Sequence, residues 1–266
     1  MTLTKLSDQD RATLQANRWR ASRLASLLSS SPVSVRSLVE DIAEATAEVL
    51  DTDNHTHVDS GTIPDSRGDV LASSVSKTDG TPKLKVGLFV GHNRGTGATA
   101  IDGSDEWESR KKVAEAAAIL LSEGGYQVHV IFRNGTLGYA TAMREHGRTA
   151  SKLNLDLAIE LHFNAFDGEA HGAEIIVASQ STADRLGKAF VDATTEAYPD
   201  RVLRSGGVKV QMSGRGFLFN ANQRCPSGIY EPCFGDSAEW YDYAEHVEKE
   251  ARYLADIVER FTDCPG

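Results

Sequence analysis

Apolar residues change rhythm along this chain. Over the first fifty residues they fall at helical spacing. Leu14, Leu24, Leu27 and Leu28 come first, then a break at 29–34. Val35, Leu38, Val39, Ile42 and Val49 follow at the i, i+3, i+4, i+7 spacing of an amphipathic helix. This predicts a small helical N-terminal segment over 1–50. Residues 51–82 are nearly free of large apolar side chains and rich in Asp, Ser, Thr and Gly, the composition of a polar linker. From 83 onward short apolar runs alternate with amphipathic stretches. Strands are expected at 83–90, 126–132, 155–162, 172–179 and 227–231, with a further β region at 207–220. Helices are expected at 106–125, 139–153, 181–197 and 237–261. Strands alternating with helices of this length mean an α/β domain over 83–266, built on a twisted, largely parallel sheet with helices on both faces.

Composition narrows the class. Of the 266 residues, 40% are hydrophobic, enough for a real core, so wholesale disorder is excluded. The net charge is −10 and both parts of the chain share it. Residues 1–80 carry 8 basic and 12 acidic groups, the rest 20 and 26. That argues against a nucleic-acid binder. Three cysteines (Cys225, Cys233, Cys264), with no CxxC pair, do not make a disulfide framework and fit a reducing compartment. Cys225 and Cys233 flank the strand at 227–231 with a spacing that could bridge; free thiols are the expectation. The opening stretch MTLTKLSDQDRATLQANRW has no apolar core segment, so no Sec-type leader is expected, and no run is long enough to span a membrane.

The loop after the first strand of the α/β region reads FVGHNRGTGA, residues 89–98. Its Gly91, Gly95 and Gly97 fit neither G-x-x-x-x-G-K-[ST] nor G-x-G-x-x-G, which leaves a plain turn or a metal ligand at His92. In open α/β sheets ligands bind beyond the carboxyl ends of the strands. His92 lies there, as does His162 in IELHFNAFDG and Glu231 in SGIYE, while Glu106 opens the first long helix. Two imidazoles and a carboxylate suit a catalytic zinc with an open fourth position, and a second carboxylate can act as general base.

Four segments, in order, resemble the zinc-dependent N-acetylmuramoyl-L-alanine amidases of the amidase 3 type. VGLFVGHNRGTGA is similar to their first histidine motif, and DEWESRKKVAEAAAILLSEGGY to the helix that begins with the metal glutamate. IELHFNAFDGEAHGAEI is similar to the second histidine motif, and GIYEPCFGDS to the segment with the catalytic glutamate. The resemblance covers roughly 84–262. It implies a phosphorylase/hydrolase-like sheet, one zinc per chain held by His92, Glu106 and His162, and Glu231 as general base. Glu106 is taken over Glu108 by counting back from the Gly-Tyr turn at 125–126. Phe89-Val90 replaces the usual Asp-Pro, Asn93 replaces the second glycine, and Pro232-Cys233 stands where small or aliphatic residues are usual.

The implied activity is hydrolysis of the amide between N-acetylmuramic acid and the L-alanine of the peptidoglycan stem. Without a visible leader, the expectation is a phage or prophage endolysin, made in the cytoplasm and acting on the wall after release. A host wall-remodelling amidase exported by another route, another zinc amidohydrolase or carboxypeptidase, and a non-catalytic wall-binding or virion protein are the rivals. Of the remaining candidates, His129 reads as a strand-face residue, His171 as a solvated loop residue, and Glu174 as a strand residue with a structural partner. Arg215 is either a carboxylate holder or solvated. His55 and His57 read as solvated linker residues.

Overall fold

The computed structural model describes residues 72–75, 81–213, 216–244 and 247–264. These all belong to the unit Ser60–Gly266. The segment 1–50 expected to be helical, most of the segment read as linker, His55, His57 and Arg215 lie outside the described residues.

The described strands are β1 (Ala72–Val75), β2 (Lys85–Val90), β3 (Gln127–Phe132), β4 (Leu157–Leu161), β5 (Ala173–Val177), β6 (Leu203–Val210) and β7 (Ser227–Glu231). They form one sheet in the order β1-β3-β2-β4-β7-β5-β6. The pairs β2–β3, β2–β4, β4–β7 and β5–β6 are parallel; β1–β3 and β5–β7 are antiparallel. The largely parallel α/β sheet expected from the rhythm of the sequence is the one observed. One boundary needs correction. Ala72–Val75, inside the segment read as linker, is an edge strand paired with Val128–Ile131 of β3. Four residues are too short a run to show periodicity, and only the long-range partner makes them a strand.

The described helices are α1 (Glu106–Glu123), α2 (Tyr139–Leu153), α3 (180–197), α4 (Phe217–Asn222), α5 (Tyr241–Ala244) and α6 (Val247–Asp263). α3 runs as Gln180–Thr182, one wide π-turn Ala183–Gly187, and Lys188–Ala197. α1 starts where Asp105 accepts a hydrogen bond from the Glu108 amide at 3.1 Å, an N-cap, and stops at Gly124. Its Arg110 makes a buried, two-pronged ion pair with Glu250 of α6, and the Tyr230 hydroxyl of β7 donates to the same carboxylate at 3.1 Å. That contact ties two helices and the sheet centre together.

The two sheet faces are covered unequally, and this positions the site. One face (Leu88, Val90, Ile159, Leu161, Ile175 and their neighbours) packs with α1, α3 and α6 in the larger core. The other (Phe89, Ile131, Ala158, Ile176, Ile229) is covered by Ala142, Met143 and Ala150 of α2 and Phe219 of α4. Phe89, Glu160, Ile229, Ile176 and Lys209 are direct cross-strand partners in one row of this second face. Two residues further along β4 and β7 come His162 and Glu231, on the same face by the two-residue period of a strand. Here the helical cover ends and a cleft of about 810 Å³ opens.

Candidate metal centre

The histidine between glycines has a geometric explanation. Gly91 follows β2 directly, and its amide donates to the Leu161 carbonyl at 3.0 Å. A Cβ on Gly91 would lie 2.4 Å from His162 Cε1. Only a glycine lets the His162 ring lie against the neighbouring strand. His92 then leaves the strand at φ 63, a left-handed conformation uncommon outside glycine, and a turn closes behind it, the Thr96 amide donating to the Asn93 carbonyl at 2.9 Å. At Gly97 a Cβ would lie 2.8 Å from both Glu106 Oε2 and His92 Cγ, and φ there is +99. The glycines are the room that three side chains need in order to meet.

They meet around Glu106, the buried first residue of α1. Its Oε2 accepts from the Ala98 amide at 2.8 Å and lies 3.3 Å from His92 Nε2. Its Oε1 accepts from the Phe163 amide at 3.1 Å and lies 3.0 Å from His162 Nδ1. The two imidazoles stand nearly perpendicular, with ring centres 4.8 Å apart. One donor atom from each of His92, Glu106 and His162 falls within 4.8 Å of the others. Glu108 faces away and pairs with exposed Arg94 at 2.9 Å.

Charge is concentrated here. Burial opposes ionisation of Glu106, but hydrogen bonds from His162 and His92 outweigh it and hold the carboxyl far below its usual range. Burial likewise opposes a charged His162, yet hydrogen bonds to Glu106 and Glu160 raise it to about 10. The carboxylates around the ring make this a site that favours positive charge. Glu231 opens onto the same cleft. Burial pushes its carboxyl up to about 7; His162 opposes the rise, Glu174 and Glu106 add to it, and Lys209 opposes it. Glu174 is the cross-strand partner of Glu231 and accepts from Asn164 Nδ2 and Arg204 Nε, each at 3.1 Å.

A family model described as N-acetylmuramoyl-L-alanine amidase (Amidase_3) matches residues 86–260, more than half of the chain. The chain belongs to this amidase family. Solved amidases share its fold. Ami1 from Mycobacterium smegmatis superposes with a TM-score of 0.58 at 15% identity, covering 68% of this chain and 97% of that one. An N-acetylmuramoyl-L-alanine amidase from Clostridium difficile 630 gives 0.59 at 16%, covering 70% and 100%. The catalytic domain of the CD27L endolysin targeting Clostridium difficile gives 0.55 at 24%, covering 67% and 96%. No curated protein matches the chain significantly in sequence.

For this amidase the donor set can be tested against a metal. Two imidazole nitrogens and one ionised carboxylate, each fixed by the packing just described and together facing an open cleft, are the donors and the count of a catalytic zinc site. The residues fit that ion.

Other candidates fall into place. His129 is buried in β3. His171 is exposed, its ring 3.2 Å from the Glu169 carbonyl. Glu174 has the partners given above. Cys225, Cys233 and Cys264 are free thiols. Sequence reasoning missed Glu160 and Arg133, which lie directly behind His162. A glutamate in the wholly buried strand LAIEL was the available signal, because such residues are almost never buried unless paired.

Proposed function

We propose that this chain is a zinc-dependent amidase that hydrolyses the bond between the lactyl carbonyl of N-acetylmuramic acid and the L-alanine nitrogen of the peptidoglycan stem. The supporting observation is the meeting of His92, Glu106 and His162 beside Glu231 in one cleft of a chain from this family. His92, Glu106 and His162 would hold the ion. Zinc bound there supplies Lewis acidity, polarising the amide carbonyl and acidifying water. Glu231 takes a proton from the attacking water and returns it to the departing alanine nitrogen, so that one C–N bond breaks and one C–O bond forms. A carboxyl raised by burial suits both halves of that transfer. The cleft wall bearing Arg204 and Lys209 supplies positive charge for an acidic stem peptide.

Within that class we take the biological role to be that of a phage or prophage endolysin. The fold shared with the CD27L endolysin catalytic domain supports this role. The test is metal-resolved wall digestion. The purified chain should carry one zinc, clear a suspension of purified sacculi, lose activity to a chelator and regain it with zinc. His162→Ala protein that still binds stoichiometric zinc would overturn the assignment. For the role, cytoplasmic expression should lyse cells only after the inner membrane is permeabilised; no lysis after permeabilisation would remove it.

A further inference from the structure

Glu160 is 1% exposed, in a strand whose five residues are all buried, and the reaction just described does not use it. Its Oε2 lies 3.4 Å from His162 Nε2, and its Oε1 accepts from Arg133 Nη2 at 3.0 Å. The other nitrogen of the same ring, Nδ1, faces Glu106 at 3.0 Å. The His162 ring is therefore gripped at both nitrogens by carboxylates on opposite sides. Nδ1 belongs to the side shared with Glu106 and His92; Nε2 is the distal nitrogen.

We propose that Glu160, held by Arg133, is a positioning residue for His162. Its carboxylate accepts a hydrogen bond from Nε2–H, which keeps the ring's proton on that nitrogen and the Nδ1 lone pair free on the side of Glu106 and His92, and it locks the ring's rotation. This rests on the reading of His162 as a metal ligand. An imidazole that donates its distal N–H to a carboxylate is fixed in one tautomer and is the more basic at its other nitrogen. Arg133 has two supports. The Tyr139 ring lies 5.4 Å from its guanidinium carbon. The Asn93 side-chain nitrogen, in the orientation that satisfies its neighbours, donates to the Arg133 carbonyl at 3.0 Å and to the His92 carbonyl at 3.3 Å. Asn93, which stands where related motifs have glycine, thereby links the loop carrying His92 to the loop that anchors Glu160.

The competing explanation is that Glu160 only neutralises a buried arginine. Paired substitutions separate the two, because they never leave one charge buried alone. In the full-length chain, zinc affinity is measured by competition with a chromophoric chelator, and folding by the melting curve of metal-free protein. Glu160→Met/Arg133→Met should weaken zinc binding by about 10- to 100-fold, the usual effect of losing such an outer contact. Glu160→Gln/Arg133→Met should recover most of that loss, because the glutamine oxygen still accepts from Nε2. If the Met/Met protein does not melt cooperatively, Glu160→Leu/Arg133→Met carries the same expectation. Unchanged zinc affinity in a folded variant lacking the acceptor, or no recovery with glutamine, overturns the proposal. Full zinc affinity in His162→Ala would also overturn it, but by removing the ligand assignment beneath it.

Discussion

Two glycines in one loop, Gly91 and Gly95, can be told apart by adding a single methyl group to each. Gly91→Ala places a Cβ 2.4 Å from His162 Cε1 and 2.6 Å from the Leu161 carbonyl oxygen. These contacts are about 1 Å inside ordinary packing distance for carbon. The oxygen is backbone, fixed by the strand ladder, so most of the adjustment falls on the His162 ring. Overpacking of this kind costs about 1–3 kcal/mol. At about 2–4 °C per kcal/mol for a domain of this size, the metal-free protein should melt roughly 2–12 °C lower. Gly95→Ala is the control. Its φ is +72 but nothing lies within 4 Å of the new Cβ, so it should carry only backbone strain of about 1–2 kcal/mol. Zinc sites hold their ligands within about 0.2 Å of ideal distance. Gly91→Ala should therefore weaken zinc binding by more than about 10-fold, the lower end of an outer-contact loss, while Gly95→Ala leaves it unchanged. Thermal melts of metal-free protein, together with chelator competition for zinc, read both effects. Equal zinc affinities in the two variants would refute the argument that Gly91 exists to seat His162.

Other outcomes follow from the same geometry. Glu231→Gln keeps the shape of the side chain but cannot take a proton, so it should retain zinc and lose about 10²- to 10⁴-fold in turnover of sacculi. Glu106→Ala should lose stoichiometric zinc by mass spectrometry, whereas Glu108→Ala, which breaks only the surface pair with Arg94, should keep it. Turnover should rise with pH as Glu231 ionises, with a midpoint at or below about 7, since a cation at the centre favours the carboxylate. Glu174 raises this carboxyl and Lys209 lowers it. Glu174→Gln should therefore move the acid limb of the kcat profile down, and Lys209→Met should move it up.

The sequence was most readable where one strand or helix is buried by its own pattern. The runs KVGLFV and QVHVIF and the helix over 139–153 stand where their apolar spacing predicts. The metal-centre candidates could be found because strand ends in an α/β sheet converge, and the structure brings His92, Glu106 and His162 together. The region expected as β at 207–220 was less readable. β6 begins earlier, at Leu203, and continues through Ser205, Gly206 and Gly207, all at positive φ, which in sequence reads as a turn. Its second half is helix α4, because an apolar run as short as FLF does not distinguish strand from helix. The helix expected over 237–261 opens as a short 3₁₀ turn at Ala238–Trp240, and α-helix begins at Tyr241. Glu160 carried a signal, a carboxylate in the apolar run LAIEL, but its partner Arg133 follows β3, 27 residues away and with β2 between their strands, and only the fold brings the two together.

Whether the cleft at the ends of β2, β4 and β7 cuts the N-acetylmuramoyl–L-alanine amide is read most directly from the new chain ends in a digest. Purified sacculi, digested by zinc-loaded protein, would be labelled for new amino termini and for new reducing sugar ends. N-terminal L-alanine should appear in step with solubilisation, with no increase in reducing ends and neither change with Glu231→Gln. New reducing ends, or new amino termini on any residue other than L-alanine, would contradict that assignment.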